Sequence, residues 1–274
     1  LASAVYFSNR KSPASCFIAR PDLTLTLFRR GKGLPMNMTT FWSEFEARVA
    51  RYDLLKHPFY QAWTHGELTG DDLRHYAGQY YSHVAAFPDY LQKLEDRLPQ
   101  GELRATIKQN REDELGSMSA DGRPHSDLWI DFALGMGACP DEVHNVELLP
   151  QVAALVDSFD TVAQRGHVIE ALSAFCAYES QVPRVAAEKA CGLKEHYGAD
   201  AKTYEYFTVH AVADVEHTKT WHELIDREVA GDNAKSELAL DAAEDAAKML
   251  WGALDGIEAE RLGRMHGGAG KEQR

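Results

Sequence analysis

Apolar residues along this chain recur at three- and four-residue spacing from Thr40 onward, and no segment alternates convincingly with the period of two that a strand requires. Thr39 and Thr40 can cap a segment that carries Phe41, Trp42, Phe45 and Val49 on one side. His57-Pro58 opens a short helix that Gly66 stops. Thr69-Gly-Asp-Asp then begins a long one, with acidic residues in its first turn, Leu73, Tyr76, Tyr80, Val84 and Phe87 at helical spacing, and Pro88 as an expected kink. Further helices are predicted over 102–115, from His125 to Gly137, briefly after Pro140, and over 150–164, 167–191 (interrupted at Pro183), 200–230 and 233–263. The expectation is an all-α protein, one bundle-like domain of about eight to ten helices without internal repeats.

One stretch departs from the rule that the buried stripe of a helix is apolar: Tyr206-Phe-Thr-Val-His210-Ala-Val-Ala-Asp214-Val-Glu-His217. A helix advances about 100° per residue, so positions 210, 214 and 217 fall at roughly 0°, 40° and −20°, on one narrow stripe. Phe207, Val209, Val212, Ala213 and Val215 beside them are apolar or small, and the helix is expected to be largely buried. Two buried imidazoles and a carboxylate need partners. A metal ion supplies them, and a hydrogen-bonded His/Asp pair is the alternative still open at this point.

Composition narrows the setting. With 274 residues, 45% of them apolar, the chain can bury a substantial core, and no apolar run reaches the length that crosses a bilayer. Cys16, Cys139, Cys176 and Cys191 lack CxxC spacing, which fits a reducing cytoplasm and argues against a disulfide scaffold or a zinc finger. Residues 1–38 hold six Lys/Arg against one Asp, leaving 23 basic against 41 acidic residues elsewhere, a net −18 within the overall −13. That field disfavours nucleic acid and anionic membranes as partners. The basic arm, 1–38, is expected to be poorly ordered, either added sequence or a start assigned too early. Residues 39–263 form the helical domain, and 264–274 a flexible tail.

Other helices offer further ligands. Glu179 stands in the otherwise apolar Phe175-Cys-Ala-Tyr178-Glu179, where a carboxylate is out of place unless it is paired, with a metal or with a base such as Arg184. Glu114 closes a helix ending Asn110-Arg-Glu-Asp-Glu114, and His125 opens the next; taken singly they read as an exposed acidic end and a cap. Together Glu114, His125, Glu179, His210, Asp214 and His217 give three carboxylates and three imidazoles, a set that suits iron or manganese better than structural zinc. Three carboxylates overcompensate one divalent ion in a dry interior. Two ions leave room for one more anionic oxygen ligand, although the paired ExxH motifs of ferritin-type centres are absent.

An acidic helix end, a His before the pair Leu128-Trp129, Tyr178-Glu179 on a later helix and His-x3-Asp-x2-His over 210–217 resemble the haem-oxygenase-like dimetal oxidases of the TenA/PqqC superfamily. The resemblance spans roughly residues 40–263 and is strongest to the CADD-type subgroup, which forms 4-aminobenzoate for folate. It implies a single haem-oxygenase-like helical bundle, iron or mixed iron and manganese on the six residues named, and O2 and an external reductant as co-reactants. In that subgroup a tyrosine of the enzyme is itself the source of the aromatic ring, and a lysine is the proposed amino donor. The matching positions are Tyr60, in His57-Pro-Phe-Tyr60, and Lys189, in Ala-Ala-Glu-Lys189-Ala-Cys, with Tyr178 and Tyr206 beside the ligands. From the residues alone, Tyr60 also reads as a packing tyrosine and Lys189 as a solvated lysine near a helix end. The loop from Glu114 to His125 is longer than the subgroup's usual spacing, which leaves Glu112 as an alternative ligand. The implied function is an O2-dependent oxidase that forms 4-aminobenzoate from its own tyrosine, acting as a homodimer. Its rivals are a dimetal oxidase of a bound amino acid or fatty acid, a metal-free PqqC/TenA-like enzyme, and a non-enzymatic interaction protein.

Overall fold

The computed structural model describes residues 36–117 and 122–269. Among them run eleven α-helices: α1 (Met38–Val49), α2 (Pro58–Thr64), α3 (Gly70–Arg97), α4 (Glu102–Glu114), α5 (His125–Gly135), α6 (Pro140–His144), α7 (Pro150–Arg165), α8 (Val168–Glu179), α9 (Val182–His196), α10 (Glu205–Val229) and α11 (Asn233–Ala269). Two 3-10 turns, Ala50–Tyr52 and Leu54–Lys56, join α1 to α2, and there is no strand among the described residues. The all-α reading therefore holds, with ten helices if the five-residue α6 is set aside. No described helix is long and apolar enough to cross a membrane. Most of the predicted basic arm, up to residue 35, lies outside the described residues. α11 continues through residues 264–269, and Arg264 there pairs with Asp72 at 2.9 Å.

Local chemistry sets the helix ends. Thr69 and Asp72 form a reciprocal capping box at the start of α3, each side chain accepting the other's backbone N–H at 3.2 and 2.9 Å. At α2 the cap is the imidazole of His57, whose Nδ1 accepts the Phe59 N–H at 3.1 Å, with Pro58 in the first turn. Gly66, at φ +70°, ends that helix in the left-handed region. Two expected boundaries move. Asn37, not Thr39 or Thr40, caps α1, its side chain accepting from the Thr40 N–H at 2.8 Å. The break in the predicted 167–191 helix falls at Ser180–Gln181, because Pro183 needs no N–H in the first turn of α9 and starts that helix rather than interrupting it.

Burial is centred on α8, where ten of twelve residues are buried. α10 and α11 both pack along it, α11 also meets α7 and α1, and α10 leans on α9. α3 lies against α4, α5 and α7. The expectation that α10 is buried on most sides is not met: Val212 is 72% and Val215 42% exposed. Its buried stripe is Tyr206, Phe207, His210, Asp214, His217, Trp221, Leu224 and Ile225, so the polar residues face the core and small apolar ones face water.

One close approach between helices lies where α9 meets α2. A Cβ on Gly192 would fall 2.8 Å from Trp63 Cδ1, and the Trp63 indole donates to the Lys189 carbonyl at 3.3 Å. Gly252 in α11 has nothing within 4 Å of the same position. Gly192→Ala should therefore cost ~1–3 kcal/mol of unfolding free energy through overpacking. Gly252→Ala should add ~0.5–1 kcal/mol by removing backbone freedom from a helix interior. Urea unfolding of the two variants checks both signs.

His83 on α3 is fully buried among Tyr80, Phe87, Tyr90, Phe159 and Tyr178, and neither ring nitrogen has a hydrogen-bond partner. Burial lowers its pKa from 6.5 to about 3. Below pH 6.5 the unfolded chain takes up a proton that the folded one refuses, so this contribution to stability is complete above 6.5 and lost as pH falls toward 3. The slope is at most ~1.4 kcal/mol per pH unit. Between pH 7 and pH 5, wild type should lose about 2 kcal/mol more than His83→Phe; equal losses would show that His83 does not shape the acid limb.

Candidate metal centre

Three helix ends meet the middle of α10. Glu114 is the last residue of α4, His125 the first of α5 and Glu179 the last of α8, while His210, Asp214 and His217 lie on the buried stripe of α10. All six are buried, Glu179 and Asp214 to within 1% of full burial. They form two triads. In one, Glu114, His125 and His210 bring donor atoms within 4.8 Å of one another; in the other, Glu179, Asp214 and His217 do the same. A small pocket lined by Glu114 and His210 of the first triad and Glu179 and Asp214 of the second joins them. Glu112 points instead to Lys108, 3.3 Å away near the surface.

Hydrogen bonds orient the donors. Nδ1 of His125 lies 2.9 Å from Glu114 Oε2. Nδ1 of His210 donates to the Tyr206 carbonyl at 2.8 Å, which leaves its Nε2 as the lone-pair nitrogen. The Trp221 indole donates to Glu179 Oε2 at 2.5 Å. By contrast Glu179 Oε1, Asp214 Oδ1 and both nitrogens of His217 are buried with no hydrogen-bond partner. Nδ1 of His217 is 3.4 Å from Asp214 Oδ1 and 3.6 Å from Glu179 Oε2, the spacing of groups arranged around an ion rather than bonded to one another. Each buried polar atom left unpaired costs ~1–3 kcal/mol, and a cation satisfies several at once.

Electrostatics agree with this geometry. Burial alone would raise the Glu114 pKa, but the charge and hydrogen bond of His125, reinforced by His210 and His217, hold it down to about 2. Glu179 goes the other way, raised well above the carboxylate range by burial against only partial relief from His217. Burial opposes charge on His217, yet the contact with Asp214 and the charges of Glu179, Asp214 and Glu114 lift it to about 10. His210 is lowered, by burial first and by His125 second. Unlike a structural zinc site the pocket offers no thiolate; oxygen and imidazole donors in this number fit two divalent transition ions.

The other sequence-selected residues lie next door. Lys189 is buried, and its Nζ donates to the Tyr60 hydroxyl at 2.7 Å and the Tyr76 hydroxyl at 2.5 Å; those two hydroxyls are 3.0 Å apart. Burial among rings pushes the Lys189 pKa well below its usual value and the Tyr60 pKa above its own. Tyr178 and Tyr206 line both this pocket and the metal pocket, and so stand between them. A ladder of rings spans the same gap. Tyr60 meets Tyr76 at 6.1 Å between centroids, Tyr76 stacks on Tyr80 at 5.5 Å, Tyr80 meets Trp129 at 5.6 Å, Trp129 meets Tyr206 at 4.8 Å, and Tyr206 meets His210 at 4.0 Å. Helical spacing in the sequence marks Tyr76 and Tyr80 only as core positions of α3. Their i, i+4 phenols on a buried face were the available signal, since a buried tyrosine hydroxyl needs a partner.

Comparison with known proteins places this arrangement. The sequence profile of the family described as iron-containing redox enzymes matches residues 74–251. The chain is 34% identical over 218 residues to a protein of Chlamydia pneumoniae named 4-aminobenzoate synthase, covering 79% of this chain and 94% of that one. It is 35% identical over 230 residues to one of the same name from Nitrosomonas europaea, covering 81% and 92%. In fold it is similar to a TenA homologue from Pseudomonas syringae, with a TM-score of 0.71 at 17% identity, covering 82% of this chain and 94% of the other. With two buried triads that could each hold a metal ion, set in a haem-oxygenase-like bundle, the chain belongs to the family of iron-containing redox enzymes and is an oxidoreductase.

Proposed function

We propose that this protein forms 4-aminobenzoate in an O2-dependent reaction that consumes its own Tyr60, with Lys189 as the amino donor. The observation that carries this reading is the placing of the Lys189 Nζ against the Tyr60 hydroxyl in a pocket with no room for another ring. That cavity measures about 20 Å³ and the metal pocket about 10 Å³. Each is the volume of about one water. The names of the relatives supply the product, and the packing favours an internal source of its ring over a bound amino acid or fatty acid.

Two iron ions, or iron with manganese, held by Glu114, His125 and His210 and by Glu179, Asp214 and His217, would supply the oxidising power from O2 that no side chain provides. The remaining roles fall to the chain. Tyr206, Trp129, Tyr80 and Tyr76 provide stacked and edge-on rings along which an electron can leave Tyr60 toward the centre. The carboxyl carbon of the product corresponds to Cβ of tyrosine, so cleavage falls between Cα and Cβ. The amine must replace the phenolic oxygen, and Lys189 is held at that end of the ring. Burial lowers the pKa of this amine and so favours its neutral form, whose lone pair would attack the oxidised ring carbon that bears the oxygen. The oxygen leaves as water, the resulting imine shifts its double bond to Lys189 Cε as the ring regains aromaticity, and hydrolysis there breaks the Cε–Nζ bond. This frees the aromatic amine and leaves an aldehyde on residue 189. Tyr178 and Tyr206 wall the two pockets from each other and limit water between them. An external reductant would supply the electrons that such a centre needs from outside the chain.

A protein that spends its own side chain turns over about once per chain. Protein grown on ring-labelled tyrosine, reconstituted with iron and manganese and given O2 and a reductant, should release labelled 4-aminobenzoate. Peptide mapping of the spent chain should find residue 60 stripped of its side chain. Unlabelled product would return the reading to an external substrate, and loss at residue 76 would move the source to Tyr76, which Lys189 also touches. Tyr60→Phe and Lys189→Arg should each abolish product while leaving metal content unchanged.

A further inference from the structure

Asp113 precedes Glu114 on the last turn of α4 and is as buried as its neighbour. Adjacent helical residues diverge by about 100°, so the two carboxylates serve different triads. Glu114 reaches His125, whereas Oδ2 of Asp113 lies 3.5 Å from Nε2 of His217. The other oxygen, Oδ1, accepts from the Gln109 side-chain amide at 2.9 Å and the Ser117 hydroxyl at 2.7 Å, one turn to either side. These two neutral donors fix the carboxylate plane. Among the described residues no lysine or arginine pairs with Asp113, and its free oxygen is left facing an imidazole.

The imidazole has a matching need. Its Nδ1 is the atom that faces Asp214 and Glu179. To offer a lone pair there, His217 must carry its proton on Nε2, and that proton needs an acceptor. Asp113 Oδ2 is in place to be that acceptor once the ring is drawn to a metal. The first triad is arranged differently, since His210 is oriented by an uncharged backbone carbonyl. The first triad also holds one carboxylate and two imidazoles, against two carboxylates and one imidazole in the second.

We propose that Asp113 is a positioning residue for His217, fixing the tautomer that presents Nδ1 to the metal and making the Glu179–Asp214–His217 triad the tighter of the two subsites. This rests on the reading of the six side chains as metal ligands and is independent of the source of the aromatic ring. Carboxylates behind a ligating histidine typically contribute 10–100-fold in metal affinity, and the contribution here falls on one ion of the two.

The test is titration of metal-free full-length protein with Mn(II) and with Co(II), following bound metal by equilibrium dialysis and the cobalt ligand field by absorption. Wild type should bind two ions with distinct affinities. Asp113→Ala should weaken the tighter step 10–100-fold, toward or below the affinity of the other, and leave the weaker step in place. Asp113→Asn, whose side-chain oxygen can still accept from Nε2, should fall between the two. Nitrogen NMR of the cobalt-free, zinc-loaded protein should show His217 protonated on Nε2 in wild type and a mixture of tautomers in Asp113→Ala. If Asp113→Ala does not fold, Ser117→Ala, which releases Oδ1 alone, should weaken the same step by a smaller factor. Two unchanged binding steps in the Asp113 variants would overturn the proposal, and wild type that binds no metal would instead overturn the ligand reading beneath it.

Discussion

Three carboxylates and three imidazoles lie in an interior where, among the described residues, no lysine or arginine pairs with them, and the rest of the site follows from how that charge is compensated. An isolated carboxylate in such surroundings costs several kcal/mol even after relaxation. Two of the three also end helices, Glu114 on α4 and Glu179 on α8, where the macrodipole is already negative. Neither position helps its helix. Protons relieve part of that cost: burial first, and the charge of Asp214 after it, pushes Glu179 well above its ordinary range, while the Asp214 contact and the surrounding carboxylates lift His217 to about 10 against its own burial. Divalent ions relieve it more completely, because each engages several donors at once. The convergence of α4, α5 and α8 on α10 is the geometric form of that requirement.

The neighbouring pocket solves a different problem with the same dryness. Lys189 gains only phenol partners, so burial there disfavours its charge and lowers its pKa, with no carboxylate to pair it. The same burial raises the pKa of the Tyr60 phenol beside it, so both groups are favoured in their uncharged forms. Tyr178 and Tyr206 separate this pair from the ligand triads, and Trp129 with the α3 tyrosines fills the space around them. A continuous file of rings nonetheless connects the two pockets.

Much of this was legible in the chain. Helical period alone gave the fold class, and the stripe of His210, Asp214 and His217 was visible because polar residues there contradict the period of a buried face. Glu179 was legible for the same reason in an apolar helix. What could not be read was direction across helices. Asp113 and Glu114 are neighbours in a run of acidic residues, and only their placement against His217 and His125 separates their roles. Tyr76 follows the apolar spacing of α3 so faithfully that its hydroxyl, and its contact with Lys189, were hidden by the pattern. The outward face of α10 misled because Val212 and Val215 are apolar yet exposed, a freedom that surface positions retain. Helix ends were misplaced where a cap or a first-turn proline acts locally, at Asn37 and Pro183.

Anomalous diffraction at the iron and manganese edges, from crystals of protein produced with both metals available, tests the centre most directly. Two anomalous peaks are predicted, one among Glu114, His125 and His210 and the other among Glu179, Asp214 and His217. A single peak, or peaks confined to surface carboxylates with these six side chains bonded only to one another and to solvent, would contradict the dimetal centre and the oxidation chemistry built on it.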